Sequence, residues 1–187
     1  MQEGVRGLSA ENNLALVSLA ARFLEPGESY VEVGVWQGRS LIAAGLGNDT
    51  ADLVGIDTFR FREGSREELL ENLRRFEVDR AALLEGDALE LLRAGALAGR
   101  NVGVYYYDAA HNYQSQLDAL RLVEPQLADR ALMIVDDSDW QEVGAATRDY
   151  VAGQSNARIL LEIEGSGRGQ PQWWEGAQLI SWEGAPS

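Results

Sequence analysis

A chain of 187 residues with net charge −14, from 30 acids against 16 arginines and no lysine, fits one domain with a substantial core better than two. Such a field repels phosphate backbones and anionic bilayers, which argues against polymeric nucleic acid or a membrane surface as partner. No stretch approaches the roughly 20 apolar residues of a membrane span. Glu3, Arg6, Glu11 and Arg22 interrupt the N-terminus in a way that does not match a secretory signal, so the expected address is cytoplasmic. The absence of cysteine excludes disulfides, thiol nucleophiles and thiolate metal sites, leaving oxygen ligands and the single histidine, His111.

In chain order, the segment 1–28 is expected to be helical. Leu14, Val17, Ala21 and Leu24 recur at helical spacing after a candidate cap at Ser9, and Pro26-Gly27 stops the helix. A strand is predicted over 29–35, with Gly34 to Gly38 turning into a helix from about Arg39 to Leu46. The next strand is predicted over 53–59. Ser65 and Glu68 then form a capping-box pattern ahead of Leu69, Leu73 and Phe76. A brief strand over 82–85 precedes a helix over 88–94, and an apolar strand over 102–107 leads to a helix striped by Leu117, Leu120 and Val123 that Pro125 ends or kinks. A strand over 131–135, a helix over 142–150 and two last strands over 158–163 and 177–182 complete the chain, with a short Gly/Ser/Gln-rich run, 165–170, between the last two.

Strands alternating with helices predict a single α/β domain over 1–187, a three-layer Rossmann-like sandwich around a mostly parallel, seven-stranded sheet. The last two strands lack an intervening helix and should pair as an antiparallel hairpin, since a parallel return needs a crossover of about a dozen residues.

Ligands of open α/β sheets bind outside the carboxyl ends of the strands, and here those ends are mostly acidic. Glu32-Val33-Gly34-Val35-Trp36-Gln37-Gly38-Arg39-Ser40 closes the first strand, Asp57 the second, Asp87 the third, Asp108 the fourth and Asp136-Asp137 the fifth. Glycines let the backbone approach a ligand, and an acid about 20 residues on can accept both hydroxyls of a ribose. The glycine spacing is G-x-x-x-G, which disfavours pyrophosphate binding and hence a nicotinamide-dependent oxidoreductase. Structural roles stand beside these: Asp57 could cap a turn, and Asp87 the helix beginning at Ala88. Glu32 lies within an apolar strand, where its carboxylate requires a cationic ligand or a cluster of backbone groups.

The motifs Glu32-Val33-Gly34, Gly55-Ile56-Asp57 and Glu85-Gly86-Asp87 resemble the successive cofactor motifs of class I S-adenosylmethionine-dependent methyltransferases, and the terminal hairpin resembles their reversed last strand. The resemblance implies that Glu32, Gly34, Gly38, Ser40, Asp57, Asp87 and Asp108 bind the cofactor. Glu32 and Gly34 would lie by its methionine part, Asp57 at the ribose hydroxyls and Asp87 at the adenine amine.

Asp108-Ala109-Ala110-His111-Asn112-Tyr113 and Asp136-Asp137 place three carboxylates on neighbouring strand ends. Their mutual repulsion calls for a cation, and hard oxygen ligands suit magnesium, calcium or manganese, so Asp108, Asp136 and Asp137 are the expected metal ligands. This stretch resembles the methyltransferases whose fourth strand ends Asp-Gly-x-His-x-Tyr and whose fifth ends Asp-Asp, a group associated with O-methylation of sugars and natural products. More distantly it resembles catechol O-methyltransferases, by which the metal is magnesium and His111 the general base, with Asp108 beside it. Ala109 stands where the first group has glycine; Asp137 and His111 replace the asparagine and lysine of the catechol enzymes. His111, with an ordinary pKa of about 6.5, can take a proton near neutrality. Tyr113, Trp140, Trp173 and Trp174 are as compatible with packing as with a role at the site. The expected function is metal-assisted O-methylation of a small molecule. Alternatives are a metal-independent methyltransferase of this fold and a non-catalytic cofactor-binding scaffold. A chain this short leaves little room for a lid, so a second copy could complete the pocket as a homodimer.

Overall fold

The computed structural model describes residues 4–62, 65–165 and 171–184. Its elements follow as α1 (Glu11–Arg22), β1 (Glu28–Val33), α2 (Arg39–Gly45), β2 (Asp52–Asp57), α3 (Arg66–Arg75), β3 (Ala82–Glu85), α4 (Ala88–Arg93), β4 (Asn101–Tyr107), α5 (Tyr113–Val123), β5 (Leu127–Asp136), α6 (Gln141–Ala152), β6 (Ala157–Ile163) and β7 (Ala177–Glu183). All seven strands form one sheet in the order β3-β2-β1-β4-β5-β7-β6. Strands β1 to β5 pair in parallel, and β7 runs antiparallel to both β5 and β6. The expected hairpin is present. Its return strand inserts between β5 and β6, which the sequence pattern does not reveal.

Alternation along each strand builds two cores, one on each face of the sheet. Val31, Val33, Tyr105, Tyr107, Met133 and Val135 point toward α4, α5 and α6, whereas Tyr30, Val104, Tyr106 and Ile134 point toward α1, α2 and α3. A sheet covered on both faces explains why its central strands read as continuous apolar runs. The order reverses between β1 and β4, so a crevice opens at the carboxyl ends of these two neighbours.

Local chemistry corrects several boundaries. Ala10, not Ser9, is the N-cap of α1, and no side chain caps it; Ser9 is buried. The first strand stops at Val33 because Gly34 takes φ +91°, and the second stops at Asp57 ahead of Phe59 at φ +53°. Ser65 and Glu68 close the anticipated capping box on α3. Helix α5 gives way to a 3-10 turn over Glu124–Gln126 that contains Pro125, after which β5 begins four residues earlier than expected, at Leu127. Of the run 165–170, residues 166–170 lie outside the described residues.

Candidate active site

A cavity of about 330 Å³ occupies the crevice, lined by the 34–40 loop apart from Gly38 and by Asp57, Asp87, Asp108, His111, Asp136 and Asp137 among others. The loop is shaped by two glycines. A Cβ on Gly34 would lie 1.7 Å from the Asp108 carbonyl oxygen, so the ends of β1 and β4 can meet only without a side chain there. Gly38 caps α2 in the left-handed region, at φ +85°, and Leu69 would obstruct any Cβ. Asp57 braces the loop from the neighbouring strand. Its Oδ2 accepts from the Trp36 N–H at 2.7 Å and its Oδ1 from the Phe59 N–H at 2.7 Å. Trp36 is held at φ +41° with its ring edge-on to Phe61.

Asp87 does serve as the N-cap of α4, accepting from the Glu90 N–H at 3.0 Å, while it also lines the cavity. Glu32 does not line the cavity. It is fully buried on the α1–α3 face, and its hydrogen-bond partners are not the backbone amides that were one of the two expectations. Two hydroxyls take their place: Ser40 Oγ donates at 2.6 Å and Tyr30 Oη at 2.8 Å. Burial raises the carboxyl pKa to about 7 against the opposing pull of these hydroxyls, and the fields of Asp136 and Asp57 add to the rise. Ser40 therefore links the cavity wall to a carboxylate beneath it.

The acidic end of the cavity differs from the expected metal set. Ligand atoms of Asp108, His111 and Asp137 lie within 4.8 Å of one another, and Asp136 is not in that group. The period of β5 explains the change. Asp136 follows Leu132 and Ile134 onto the α1–α3 face, where its Oδ1 accepts from Asn13 Nδ2 at 2.9 Å and the Asp137 N–H at 3.1 Å. The Tyr106 hydroxyl donates to its Oδ2. Burial lifts the Asp136 pKa to about 7, with the Asp137 charge adding to it.

Asp137 lies just past the strand at φ +55°, a left-handed conformation that costs on the order of 1–3 kcal/mol and turns its side chain toward His111. His111 Nε2 is 2.8 Å from Asp137 Oδ2, which pushes the imidazole pKa up. Nε2 nevertheless has no hydrogen bond of good geometry, and Asp137 Oδ1 is also buried without a partner. Asp108 is pushed well up by burial and by the charges of Asp136 and Asp137. Two unpartnered donor atoms, an imidazole nitrogen and two carboxylates suit a divalent cation. The nitrogen ligand moves the preference from magnesium toward manganese, iron, cobalt or zinc.

Two tryptophans whose role the sequence left open, and an N-terminal segment, complete the site. Trp140 stacks on His111 with centroids 5.1 Å apart and planes at 28°. Trp174 and the segment Arg6–Ser9 also line the cavity, so the N-terminal residues supply one of its walls. Nothing local in sequence signals these contacts; the position of Trp140 three residues after Asp137 is the nearest hint. Tyr113 instead bonds Asp149 at 2.7 Å, away from the cavity lining.

The parallel sheet with one reversed strand and its cavity at the β1/β4 switch point define a class I methyltransferase fold. A family model described as a methyltransferase domain matches residues 31–138, and the chain belongs to that family. No curated protein sequence matches. Among solved structures, the O-methyltransferase TomG of Streptomyces achromogenes, involved in tomaymycin synthesis and bound to S-adenosylmethionine, aligns with TM-score 0.73 at 18% identity, over 95% of this chain and 82% of its own. CalS11, a TDP-rhamnose 3'-O-methyltransferase of calicheamicin biosynthesis, aligns with TM-score 0.67 at 21% identity, over 91% and 78%. An O-methyltransferase of Bacillus cereus solved with S-adenosylhomocysteine gives 0.65 at 14% identity, over 92% and 79%.

Proposed function

We propose that the protein transfers a methyl group from S-adenosylmethionine to a hydroxyl of a small molecule, a natural product or a sugar, with a divalent cation at Asp108, His111 and Asp137. The observation that carries this reading is the meeting of that cluster and the glycine-turn loop in one cavity. The likeness to TomG and CalS11 supports the acceptor class.

The residues present fit the cofactor. Gly34, Gly38 and Ser40 would border its methionine part, with Glu32 acting through Ser40. Each Asp57 oxygen accepts one backbone N–H and retains capacity for a ribose hydroxyl, and Asp87 can receive the adenine amine while capping α4. Bound S-adenosylmethionine would supply an activated methyl group, and a bound cation would lower the pKa of the acceptor hydroxyl. Asp108 and Asp137 would orient the acceptor, Trp140 would hold the His111 ring, and Trp174 with Arg6–Ser9 would limit water. Ordering of the reactants is the larger contribution, up to about 7–11 kcal/mol, against roughly 10²- to 10⁴-fold for proton transfer.

A second reading rests on the 2.8 Å His111–Asp137 contact, which a small turn of the ring would make a base-and-orienter pair without a cation. In it the His111 Nε2–H faces Asp137, the opposite ring nitrogen Nδ1 would take the acceptor proton, and Asp137 would stabilise the imidazolium. A labelled-methyl transfer screen over hydroxylated acceptors, run with manganese, with magnesium and with chelator, separates the two. Activity abolished by chelator and restored by metal supports the first; activity indifferent to chelator supports the second. The strongly acidic composition supports a cytoplasmic enzyme, and a homodimer is part of the proposal; among the described residues no helix is long and apolar enough to cross a membrane.

A further inference from the structure

Five aspartates line the reaction cavity, and among the described lining residues they face two arginines, Arg6 and Arg39. Arg39 is the first residue of α2, between the cap Gly38 and Ser40, so it belongs to the glycine-turn wall. Its stem is packed against the N-terminal wall. A Cβ on Gly7 would lie 2.3 Å from Arg39 Cδ and 2.8 Å from its Cβ, so the two segments meet only because Gly7 has no side chain. Arg39 Nη1 donates to the Gly7 carbonyl oxygen at 3.3 Å. That contact fixes the guanidinium without neutralising it. Among the described residues no carboxylate pairs with Arg39, and its Nη2, which is not sealed from solvent as Nε is, donates to no group.

A half-buried guanidinium is ordinarily matched by a carboxylate or phosphate, because its fork of donors fits those anions. Here the protein supplies none, so the ligand must. S-adenosylmethionine carries one anionic group, the carboxylate of its methionine part, beside an ammonium and a sulfonium. Aspartates elsewhere in the lining repel that carboxylate and attract the two cations, which leaves the Arg39 wall as its place. We propose that Arg39 is the residue that selects ligands with an amino-acid end, its Nη2 donating to the carboxylate while Nη1 holds Gly7. One guanidinium then ties the cofactor to the Arg6–Ser9 wall, so that cofactor binding braces the wall of the acceptor pocket. This role rests on S-adenosylmethionine being the methyl donor.

The test is calorimetric titration of the full chain with two nucleosides. S-adenosylhomocysteine keeps the amino-acid end; methylthioadenosine has a methyl group in its place. Wild-type protein should bind both, the first at least about tenfold more tightly. Arg39→Met should remove most of that advantage and leave methylthioadenosine affinity within a few-fold of wild type. Arg39→Gln is a second neutral variant where Arg39→Met fails to fold. In the wild-type chain, amide hydrogen exchange over residues 5–9 should slow more at saturation with S-adenosylhomocysteine than with methylthioadenosine. Unchanged S-adenosylhomocysteine affinity in the folded variant, equal weakening of the two nucleosides, or equal protection of residues 5–9 would each overturn the proposal. Saturable binding of inorganic phosphate to the S-adenosylhomocysteine-loaded chain, lost in Arg39→Met, would overturn it by giving Arg39 to an anion of the acceptor. Failure of the folded wild-type chain to bind either nucleoside would contradict the methyl-donor assignment itself, and this role with it.

Discussion

His111 Nε2 lies 2.8 Å from Asp137 Oδ2, across the gap between the ends of β4 and β5, and Asp137 adopts φ +55° to reach it. This pair converts two strand ends into one chemical unit. Asp137→Asn and His111→Asn should therefore lower kcat by about 10²- to 10⁴-fold. S-adenosylhomocysteine affinity, measured by calorimetry, should stay within a few-fold of wild type. Loss of cofactor binding in both variants would show that the pair is structural.

Trp140 stacks on the His111 ring, so its effect should be on orientation. Trp140→Ala is expected to lower kcat roughly 10- to 100-fold and Trp140→Phe to recover most of it, because small displacements of a reacting group are costly. Equal losses in the two variants would contradict a stacking role.

Glu32 gives the chain a specific pH dependence. Its ordinary pKa is 4.5 and the folded value about 7. Below about pH 4.5 the carboxyl is protonated folded or unfolded. As pH rises from there through about 7, the unfolded chain ionises while burial resists ionisation in the fold, and the stability present at low pH is lost. Glu32→Gln should match wild type in urea unfolding near pH 4 and exceed it near pH 8 by about 2–3 kcal/mol. Parallel stability curves for the two proteins would refute this.

The glycines separate backbone strain from collision. Gly27 and Gly34 share nearly the same φ, +90° and +91°, but a Cβ on Gly27 meets nothing within 4 Å. Gly27→Ala should cost about 1–3 kcal/mol from strain alone, whereas Gly34→Ala should cost about 2–6 kcal/mol because it also drives β1 from β4. Equal losses in denaturant unfolding would mean that the crevice accommodates the methyl group.

What was legible in the sequence was what alternation and local caps encode. The strand ends, the capping box at Ser65 and Glu68, and the acids at the carboxyl edge follow from neighbours in the chain. What was not legible depends on distant pairing. Asp136 stands apart from the Asp108–His111–Asp137 group because of Asn13, 123 positions away, and Tyr106 on the next strand. Glu32 is satisfied by side-chain hydroxyls two and eight residues away, a pairing that becomes visible only when Tyr30 and Glu32 share a sheet face beside α2. The insertion of β7 between β5 and β6, and the Arg6–Ser9 wall, are equally properties of the assembled layers.

The most direct measurement is calorimetric titration of the purified protein with S-adenosylhomocysteine in chelator, repeated for Asp57→Ala. The account predicts one-site binding by the wild-type chain, independent of metal, and at least about tenfold weaker binding by the variant. Folded wild-type protein that fails to bind, or an Asp57→Ala variant that binds as tightly, would contradict the placement of the cofactor at the β1/β4 crevice.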